Sequence, residues 1–184
     1  MRIVAGAAKG RRLAPPPEGT RPTSDQVREA MFNTLAASMS MDCARVLDLF
    51  AGTGAVGLEA LSRGAAQAVF VEKGRAALAV LRRNIETVAL PGATVIARPV
   101  AQYLADEAPE PFDLVFLDPP YALDRDKIGE VVARLGAGGW LAEEARLVME
   151  RSAHSERLVA AETFVTPDFE KRYGDTVLWY GRRR

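Results

Sequence analysis

The chain has 184 residues, of which 48% are hydrophobic and 26% are charged, and its 24 basic side chains balance its 24 acidic ones. This length and composition are typical of one folded domain and argue against a disordered or fibrous protein. With one cysteine, Cys43, and one histidine, His154, the chain can form neither an internal disulfide nor a Cys/His zinc cluster, and we assign it no metal.

The amino-terminal end is basic, because residues 1–28 carry six positive side chains against two negative ones, Glu18 and Asp25. The positive residues are Arg2, Lys9, Arg11, Arg12, Arg21 and Arg28. Such a segment is typical of nucleic-acid binding, although a genomic bias toward arginine would also produce it. No apolar stretch reaches the length of a secretion signal or a membrane span, so we expect a cytoplasmic protein.

The first predicted elements are a small β-hairpin and a helix. Residues 2–5 and 11–14 flank a glycine-containing turn, and Pro15 to Pro17 end the hairpin. A helix over residues 26–35 follows, capped by Ser24 or Thr23. Its apolar face is predicted to hold Val27, Ala30, Met31 and Leu35. We assign residues 1–40 to an amino-terminal appendage that faces RNA and residues 41–184 to the main domain.

From residue 45 onward, short runs rich in Val, Ile and Phe alternate with helical patterns, which predicts an α/β fold with a mostly parallel sheet. Seven strands are predicted, at residues 45–50, 68–72, 93–97, 113–117, 145–150, 162–166 and 176–180. Helices are predicted at residues 55–63, 75–88, 101–107 and 125–135. Residues 166–175 leave no room for a helix, so we expect a hairpin-like connection there and an antiparallel last strand.

The first of these strands runs into a glycine-rich turn and a helix. Glycine permits a tight turn and close approach of a ligand, and the helix start supplies free N–H groups. The spacing Gly52-x-Gly54-x-x-Gly57, with Glu72 after the second strand, matches a nucleotide-binding pattern in which the acidic residue binds ribose hydroxyls. NAD and S-adenosylmethionine both fit this pattern.

Asp48 at the end of the first strand favours S-adenosylmethionine. A carboxylate there would repel a pyrophosphate, but it can hold the ammonium group of a methionine directly or through water. The string DLFAGTG over residues 48–54 resembles motif I of class I methyltransferases. In that family the loop backbone cradles the methionine portion, and the residue that matches Glu72 binds both ribose hydroxyls.

The fourth predicted strand ends in Asp118, Pro119, Pro120 and Tyr121. Two prolines fix the backbone and lack N–H donors, so the carbonyls of Asp118 and Pro119 remain acceptors. An exocyclic amino group of a base has two N–H donors and a lone pair delocalised into the ring. If the Asp118 carboxylate and the Pro119 carbonyl accept those N–H bonds, the nitrogen can pyramidalise toward a sulfonium methyl group. Tyr121 would stack on the base.

This tetrapeptide resembles motif IV of the methyltransferases that act on amino groups of adenine, cytosine or guanine. Together with RIVAG (residues 2–6), GRRL (10–13) and RPTSDQVREAMFN (21–33), the chain closely resembles the RsmD family, the bacterial 16S ribosomal RNA guanine-N2 methyltransferases. The resemblance covers nearly the whole chain. It implies a Rossmann-like class I methyltransferase fold, S-adenosyl-L-methionine as methyl donor, and 16S ribosomal RNA or the small ribosomal subunit as partner.

The resemblance also implies roles for individual residues. The target guanine would be held by Asp118, Pro119, Pro120 and Tyr121. The cofactor would be bound by Asp48, Phe50, Ala51, Gly52, Thr53, Gly54, Glu72, Lys73 and Val100. RNA would be contacted by Lys9, Arg11, Arg12, Arg21 and Thr23. Where the family usually has Asp or Asn near the cofactor's adenine this chain has Pro99, so we expect the Val100 backbone N–H to make that contact.

Two other functions fit parts of this pattern. A DNA adenine-N6 methyltransferase uses a similar tetrapeptide, but the chain has no insertion large enough for a separate target-recognition domain. A non-catalytic dinucleotide-binding or RNA-binding Rossmann protein, or a dinucleotide oxidoreductase, would share the glycine loop. We expect a monomer, and we expect His154 to be a surface residue without a catalytic role.

Overall fold

The structure is a computed structural model that describes residues 1–17, 23–120, 123–153 and 165–184. Its strands are β1 (Arg45–Leu49), β2 (Gln67–Val71), β3 (Ala93–Ile96), β4 (Phe112–Leu117), β5 (Leu141–Ser152), β6 (Val165–Tyr173) and β7 (Thr176–Arg183). Its helices are α1 (Asp25–Ala36), α2 (Ala55–Ser62), α3 (Arg75–Val88), α4 (Val100–Tyr103) and α5 (Arg125–Ala137).

The seven strands form one sheet in the order β3-β2-β1-β4-β5-β7-β6. The pairs of β1 with β2 and β4, of β2 with β3 and of β4 with β5 are parallel. Strand β7 runs antiparallel to both β5 and β6. The predicted α/β fold with a reversed last strand is therefore confirmed, and the chain reverses its direction of travel across the sheet between β1 and β4, where open α/β folds bind ligands.

The predicted hairpin connection to an antiparallel last strand is confirmed, but it is much shorter than residues 166–175, because β6 continues to Tyr173 and the turn comprises only residues 174 and 175. The segment was taken for a loop because it is polar. Strand β6 forms the edge of the sheet, and most of its side chains from Asp168 to Arg172 are exposed, so polar residues suit it. The start predicted for this strand, residues 162–164, lies outside the described residues.

The predicted helix at residues 101–107 is also shorter than expected, because α4 ends at Tyr103. Asp106 and Glu107 would stand at the carboxyl end of a longer helix, where the helix dipole disfavours negative charge. Asp106 instead forms an ion pair with Arg98, with 2.8 Å between the carboxylate and the guanidinium.

Side chains alternate between the two faces of the sheet, and each face has its own buried core. On one face, Val46, Phe70 and Phe116 pack beneath α1, α2 and α3; we call this the α1 face. On the other, Leu47 and Leu117 pack with residues of α4 and α5. The amino-terminal segment and α1 contribute to the α1-face core through Ile3, Leu13, Met31, Phe32 and Leu35, and the domain boundary at residue 40 stays a prediction.

The predicted amino-terminal hairpin is present only in part. Its two sides meet in one antiparallel bridge, between Arg2 and Arg12, flanked by a 3.0 Å bond from Ile3 N to Arg11 O. The pairing does not continue beyond Ile3 toward the turn, because the N–H groups of Val4 and Ala5 donate to the Glu59 carboxylate of α2, at 2.8 and 3.0 Å. The segment is thus attached to α2 instead of forming a longer ladder.

Helix α1 begins as predicted, with the Ser24 hydroxyl accepting from the Val27 N–H at 3.2 Å. Its buried face differs from the prediction, because it holds Arg28 and Phe32 beside Met31 and Leu35. The Arg28 side chain is fully buried and lies 3.6 Å from the equally buried Glu59 carboxylate. No helix in the described part of the chain is long and apolar enough to span a membrane.

Candidate active site

Four carboxylates lie at the carboxyl edge of four adjacent strands. They are Glu72 after β2, Asp48 in β1, Asp118 after β4 and Glu150 in β5; we call them the acidic row. Asp118 is subject to the negative charges of Asp48 and Glu150, and Asp48 to that of Glu72, so the four groups are electrostatic neighbours. The sheet order places the row across the β1–β4 reversal.

Strand register places the row on the α1 face. Asp48 is aligned with Phe70 and with Phe116, which pack on that face. Glu72 and Asp118 follow those two residues by two positions, and extended backbone returns to the same face every second residue. The backbone at both positions still bonds to neighbouring strands, from Glu72 N to Ile96 O at 3.1 Å and from Asp118 N to Leu49 O at 3.5 Å.

Asp48 is only 4% exposed, and its Oδ2 accepts from the Gly57 N–H at 3.0 Å. Burial raises the pKa of Asp48 to about 7, with the charge on Glu72 acting in the same direction and the Gly57 N–H opposing it. A cationic ligand group beside Asp48 would favour the ionised carboxylate. The residue therefore fits the ammonium contact predicted for it.

Glu72 connects the end of β2 to the glycine loop. Its Oε2 accepts from the Gly52 N–H at 2.9 Å, and its Oε1 accepts from the N–H groups of Lys73 at 2.8 Å and Gly74 at 2.6 Å. These three donors fix the carboxylate at the sheet edge. Each carboxylate oxygen has two lone pairs, so Oε2 can accept a further donor such as a ribose hydroxyl. Lys73 itself is exposed.

The three glycines of the loop differ in what surrounds them. Gly52 has φ +54°, and the nearest atom to a Cβ built there is the Phe50 carbonyl oxygen at 3.9 Å, so this side of the loop is open for a ligand. A Cβ at Gly54, which also has positive φ, would lie 2.3 Å from the Leu81 side chain. A Cβ at Gly57 would lie 2.4 Å from the ring of Phe70. Gly54 and Gly57 therefore serve close helix packing.

The rest of the loop is held tightly. Phe50 adopts φ +62°, a left-handed conformation that costs a residue with a Cβ about 1 kcal/mol. The Ala51 N–H donates to the Val71 carbonyl at 3.0 Å, which fixes the loop against β2. The Thr53 carbonyl accepts from the side chain of Asn84 at 2.9 Å.

Asn84 was not identified from the sequence. It is fully buried on α3, and its Oδ1 also accepts from the Ala14 N–H at 2.7 Å, so one side chain connects the glycine loop to the amino-terminal segment. A signal was present, since Asn84 is a polar residue on the apolar face of α3 with Leu78, Leu81 and Val88. Val100, the remaining predicted cofactor residue, is buried at the start of α4, after β3.

In the tetrapeptide, Asp118 is exposed to solvent, Pro119 is buried and Pro120 is exposed. The Pro120 carbonyl accepts from the Leu123 N–H at 2.8 Å. Although the Asp118 side chain is reachable by solvent, enough protein surrounds it for desolvation to raise its pKa well above the usual value, and the charges of Glu150 and Asp48 raise it further. Tyr121 lies outside the described residues.

Glu150 was also not identified from the sequence, where it read as an ordinary strand residue. Its Oε2 accepts from the Thr23 hydroxyl at 2.7 Å. Both residues line a cavity of about 350 Å³ between the first turn of α1, the end of β5 and the turn after β6. Thr23, predicted to contact RNA, is thus bonded to one carboxylate of the acidic row.

The other predicted RNA contacts belong to the amino-terminal segment. Lys9 and Arg12 are exposed, and Arg21 lies outside the described residues. The Arg11 guanidinium donates to the carbonyls of Thr87 and Val88, so it caps the carboxyl end of α3.

Comparison with known proteins connects this geometry to a family. The family described as "Conserved hypothetical protein 95" matches residues 1–182. Ribosomal RNA small subunit methyltransferase D of Escherichia coli K12 is 42% identical over 151 residues, which are 82% of this chain and 74% of that protein. The solved structure of an E. coli protein described as "Putative methyltransferase yhhF" superposes with a TM-score of 0.84 at 35% identity, over 100% of this chain and 98% of that one.

A more distant structure shares the fold alone. Magnesium protoporphyrin IX methyltransferase from Synechocystis, solved with S-adenosylmethionine bound, has a TM-score of 0.69 at 14% identity, over 86% of this chain and 79% of that one.

Proposed function

The chain belongs to the RsmD family of methyltransferases, and on that premise we propose that it transfers a methyl group from S-adenosylmethionine to the exocyclic N2 amino group of a guanine in 16S ribosomal RNA. The observation that carries this proposal is Asp118, an exposed carboxylate held beside the glycine loop at the β1–β4 reversal. The ribosomal substrate is suggested by the name of the E. coli relative.

The residues on the cofactor side of the acidic row fit S-adenosylmethionine. Asp48 is a buried carboxylate that a cationic group would keep ionised, Gly52 leaves its side of the loop open, and Glu72 retains acceptor capacity. S-adenosylmethionine supplies an electrophilic methyl group when it is bound. In this proposal Asp48 holds the ammonium group, and Glu72 holds the ribose hydroxyls.

On the substrate side, the Asp118 carboxylate accepts one N–H of the guanine amino group, and the carbonyl of Pro119 accepts the other. These bonds draw the nitrogen out of conjugation with the ring, so that its lone pair can attack. Both hydrogen bonds become stronger as positive charge develops on the nitrogen. They therefore stabilise the transition state more than the bound substrate, as catalysis requires. The surplus proton then passes to Asp118 or to water.

Methylation of undermethylated small ribosomal subunits tests this proposal. With labelled S-adenosylmethionine we expect label in 16S ribosomal RNA and N2-methylguanosine on nucleoside mass spectrometry. The Asp118→Ala variant should lose turnover by at least about 100-fold while keeping its affinity for S-adenosylhomocysteine. Glu143→Gln, which changes an exposed carboxylate at the far end of β5, is the matched control and should retain full activity.

Three results would contradict the proposal. Label that enters only duplex DNA, as N6-methyladenine, would make the protein a DNA adenine methyltransferase. An unchanged set of activities in Asp118→Ala, or tight binding of NAD without S-adenosylhomocysteine, would favour a non-catalytic or dinucleotide-dependent Rossmann protein.

A further inference from the structure

The cavity at the end of β5 contains an acidic group, Glu150, that the proposed chemistry at Asp118 does not use. The cavity has a volume of about 350 Å³, within the range of roughly 300–1,000 Å³ that small-molecule sites occupy. Val27 and Tyr173 contribute apolar atoms to its lining, and Glu150 contributes the carboxylate. A flat base with polar edges matches such a lining.

Strand register places Glu150 next to Asp118. Leu117 of β4 is aligned with Met149 of β5, and both pack on the face opposite to α1. The residue after each, Asp118 and Glu150, therefore turns toward the α1 face at the same level of the sheet. The two carboxylates come from neighbouring strands, which lie about 4.8 Å apart, so one base can reach both side chains.

The Glu150 carboxylate is held in place, because Thr23 at the amino-terminal end of α1 donates its hydroxyl proton to Oε2 at 2.7 Å. An ionised carboxylate accepts hydrogen bonds and donates none. The part of the cavity wall that Glu150 forms therefore favours a ligand with a hydrogen-bond donor. Two adjacent carboxylates also repel each other, and a ligand that places an N–H on each relieves that repulsion.

We propose that Glu150 is the specificity-determining residue for the target base and accepts the N1–H of guanine while Asp118 accepts from the neighbouring 2-amino group. This inference rests on the proposed function. Guanine carries these two donors side by side on its Watson–Crick edge, whereas adenine has an N1 lone pair that would face the carboxylate unpaired. Thr23 is a positioning residue that orients Glu150.

A base-substitution experiment tests this assignment. The nucleotide that the wild-type protein methylates is mapped by mass spectrometry and replaced with 2,6-diaminopurine in reconstituted small subunits, because this base keeps the 2-amino group but has an acceptor at N1. We expect the wild-type protein to prefer guanine by about 100-fold or more in kcat/KM, since a buried acceptor left facing a lone pair is strongly disfavoured. In Glu150→Gln the preference should shrink by about 10-fold or more, because an amide can donate to N1.

The pH profile gives a second readout that a purely structural role would not change. Glu150 on β5 and Asp48 on β1 are the charged groups that act on Asp118 within the described residues. The negative charge of Glu150 raises the pKa of Asp118, so Glu150→Gln should lower that pKa. The acidic limb of the pH profile of kcat/KM should then move to lower pH. Glu143→Gln should leave both the base preference and the limb unchanged, and unaltered affinity for S-adenosylhomocysteine shows that Glu150→Gln is folded.

The outcomes separate the two proposals. If the wild-type protein forms N2-methylguanosine but Glu150→Gln keeps the wild-type base preference and pH limb, only the assignment of Glu150 is overturned. If Glu150→Gln lowers kcat/KM equally for guanine and 2,6-diaminopurine and leaves the acidic limb of the pH profile in place, the role of Glu150 is structural and the assignment again fails. If the wild-type protein forms no N2-methylguanosine, the proposed function fails, and the assignment fails with it.

Discussion

Asp48 illustrates how a single buried carboxylate can make cofactor binding depend on pH. The group lies beneath the glycine loop, where burial raises its pKa to about 7, and its hydrogen bond from Gly57 only partly offsets the lost hydration. In the free protein Asp48 is therefore protonated in slightly acidic solution. A ligand ammonium pairs with the ionised form, so binding requires removal of that proton.

We expect the affinity for S-adenosylhomocysteine to rise by about 10-fold between roughly one pH unit below and one above that pKa, because the ionised fraction rises by that factor. Affinity rises with pH because Asp48 loses its proton as pH increases, and the ligand ammonium pairs with the ionised carboxylate. Isothermal titration at several pH values measures the slope. Asp48→Asn should bind more weakly at high pH and show a flat profile; an equally steep profile in this variant would assign the dependence to another group.

At the scale of elements, the glycine loop depends on a polar side chain of α3 that bonds to the loop backbone. Asn84 on α3 donates to the Thr53 carbonyl and accepts from the Ala14 N–H, so α3, the loop and the amino-terminal segment share one buried amide. Removing it leaves the buried Thr53 carbonyl and the partly buried Ala14 N–H without this partner, and an unpaired buried group costs about 1–3 kcal/mol.

Asn84→Ala should therefore lower the free energy of unfolding by about 2–4 kcal/mol and weaken S-adenosylhomocysteine binding as well. Urea unfolding gives the first quantity and titration of the folded variant gives the second. Glu86→Ala, an exposed position on the same helix, is the control and should change neither. A stability loss with unchanged affinity would show that the Asn84 bonds support the fold without shaping the loop.

The helices and strands could be predicted from the sequence where buried residues recur at regular spacing. Strands β1, β2 and β4 are short, mostly apolar runs, and the glycine turn and the proline pair mark where β1 and β4 end. Edge strand β6 was misjudged because its exposure removes the apolar pattern. Arg28, Asn84 and Glu150 were missed for a related reason, since a polar residue looks like a surface residue until its partner, distant in sequence, is known.

At the scale of the whole molecule, one buried ion pair joins the amino-terminal segment to the methyltransferase core. Glu59 of α2 pairs with Arg28 of α1 at 3.6 Å and with Arg63 at 2.8 Å, and it accepts the N–H groups of Val4 and Ala5. Since α2 begins at the glycine loop, the predicted RNA-facing segment and the cofactor loop are attached to the same helix. The pair therefore stabilises the relative placement of both.

Glu59→Gln removes the fully buried one of the two carboxylates that pair with Arg28 and leaves the partly exposed Asp25, 2.9 Å from the guanidinium. Breaking a buried pair costs at most about 3–5 kcal/mol. For a chain of this size we expect Tm to fall by roughly 10 °C. Differential scanning calorimetry measures the shift. Glu110→Gln, which removes the partner of Arg45 in a largely exposed ion pair, is the matched control and should lower stability by less than about 1 kcal/mol. Equal shifts in the two variants would mean that the buried pair contributes no more to stability than a surface pair.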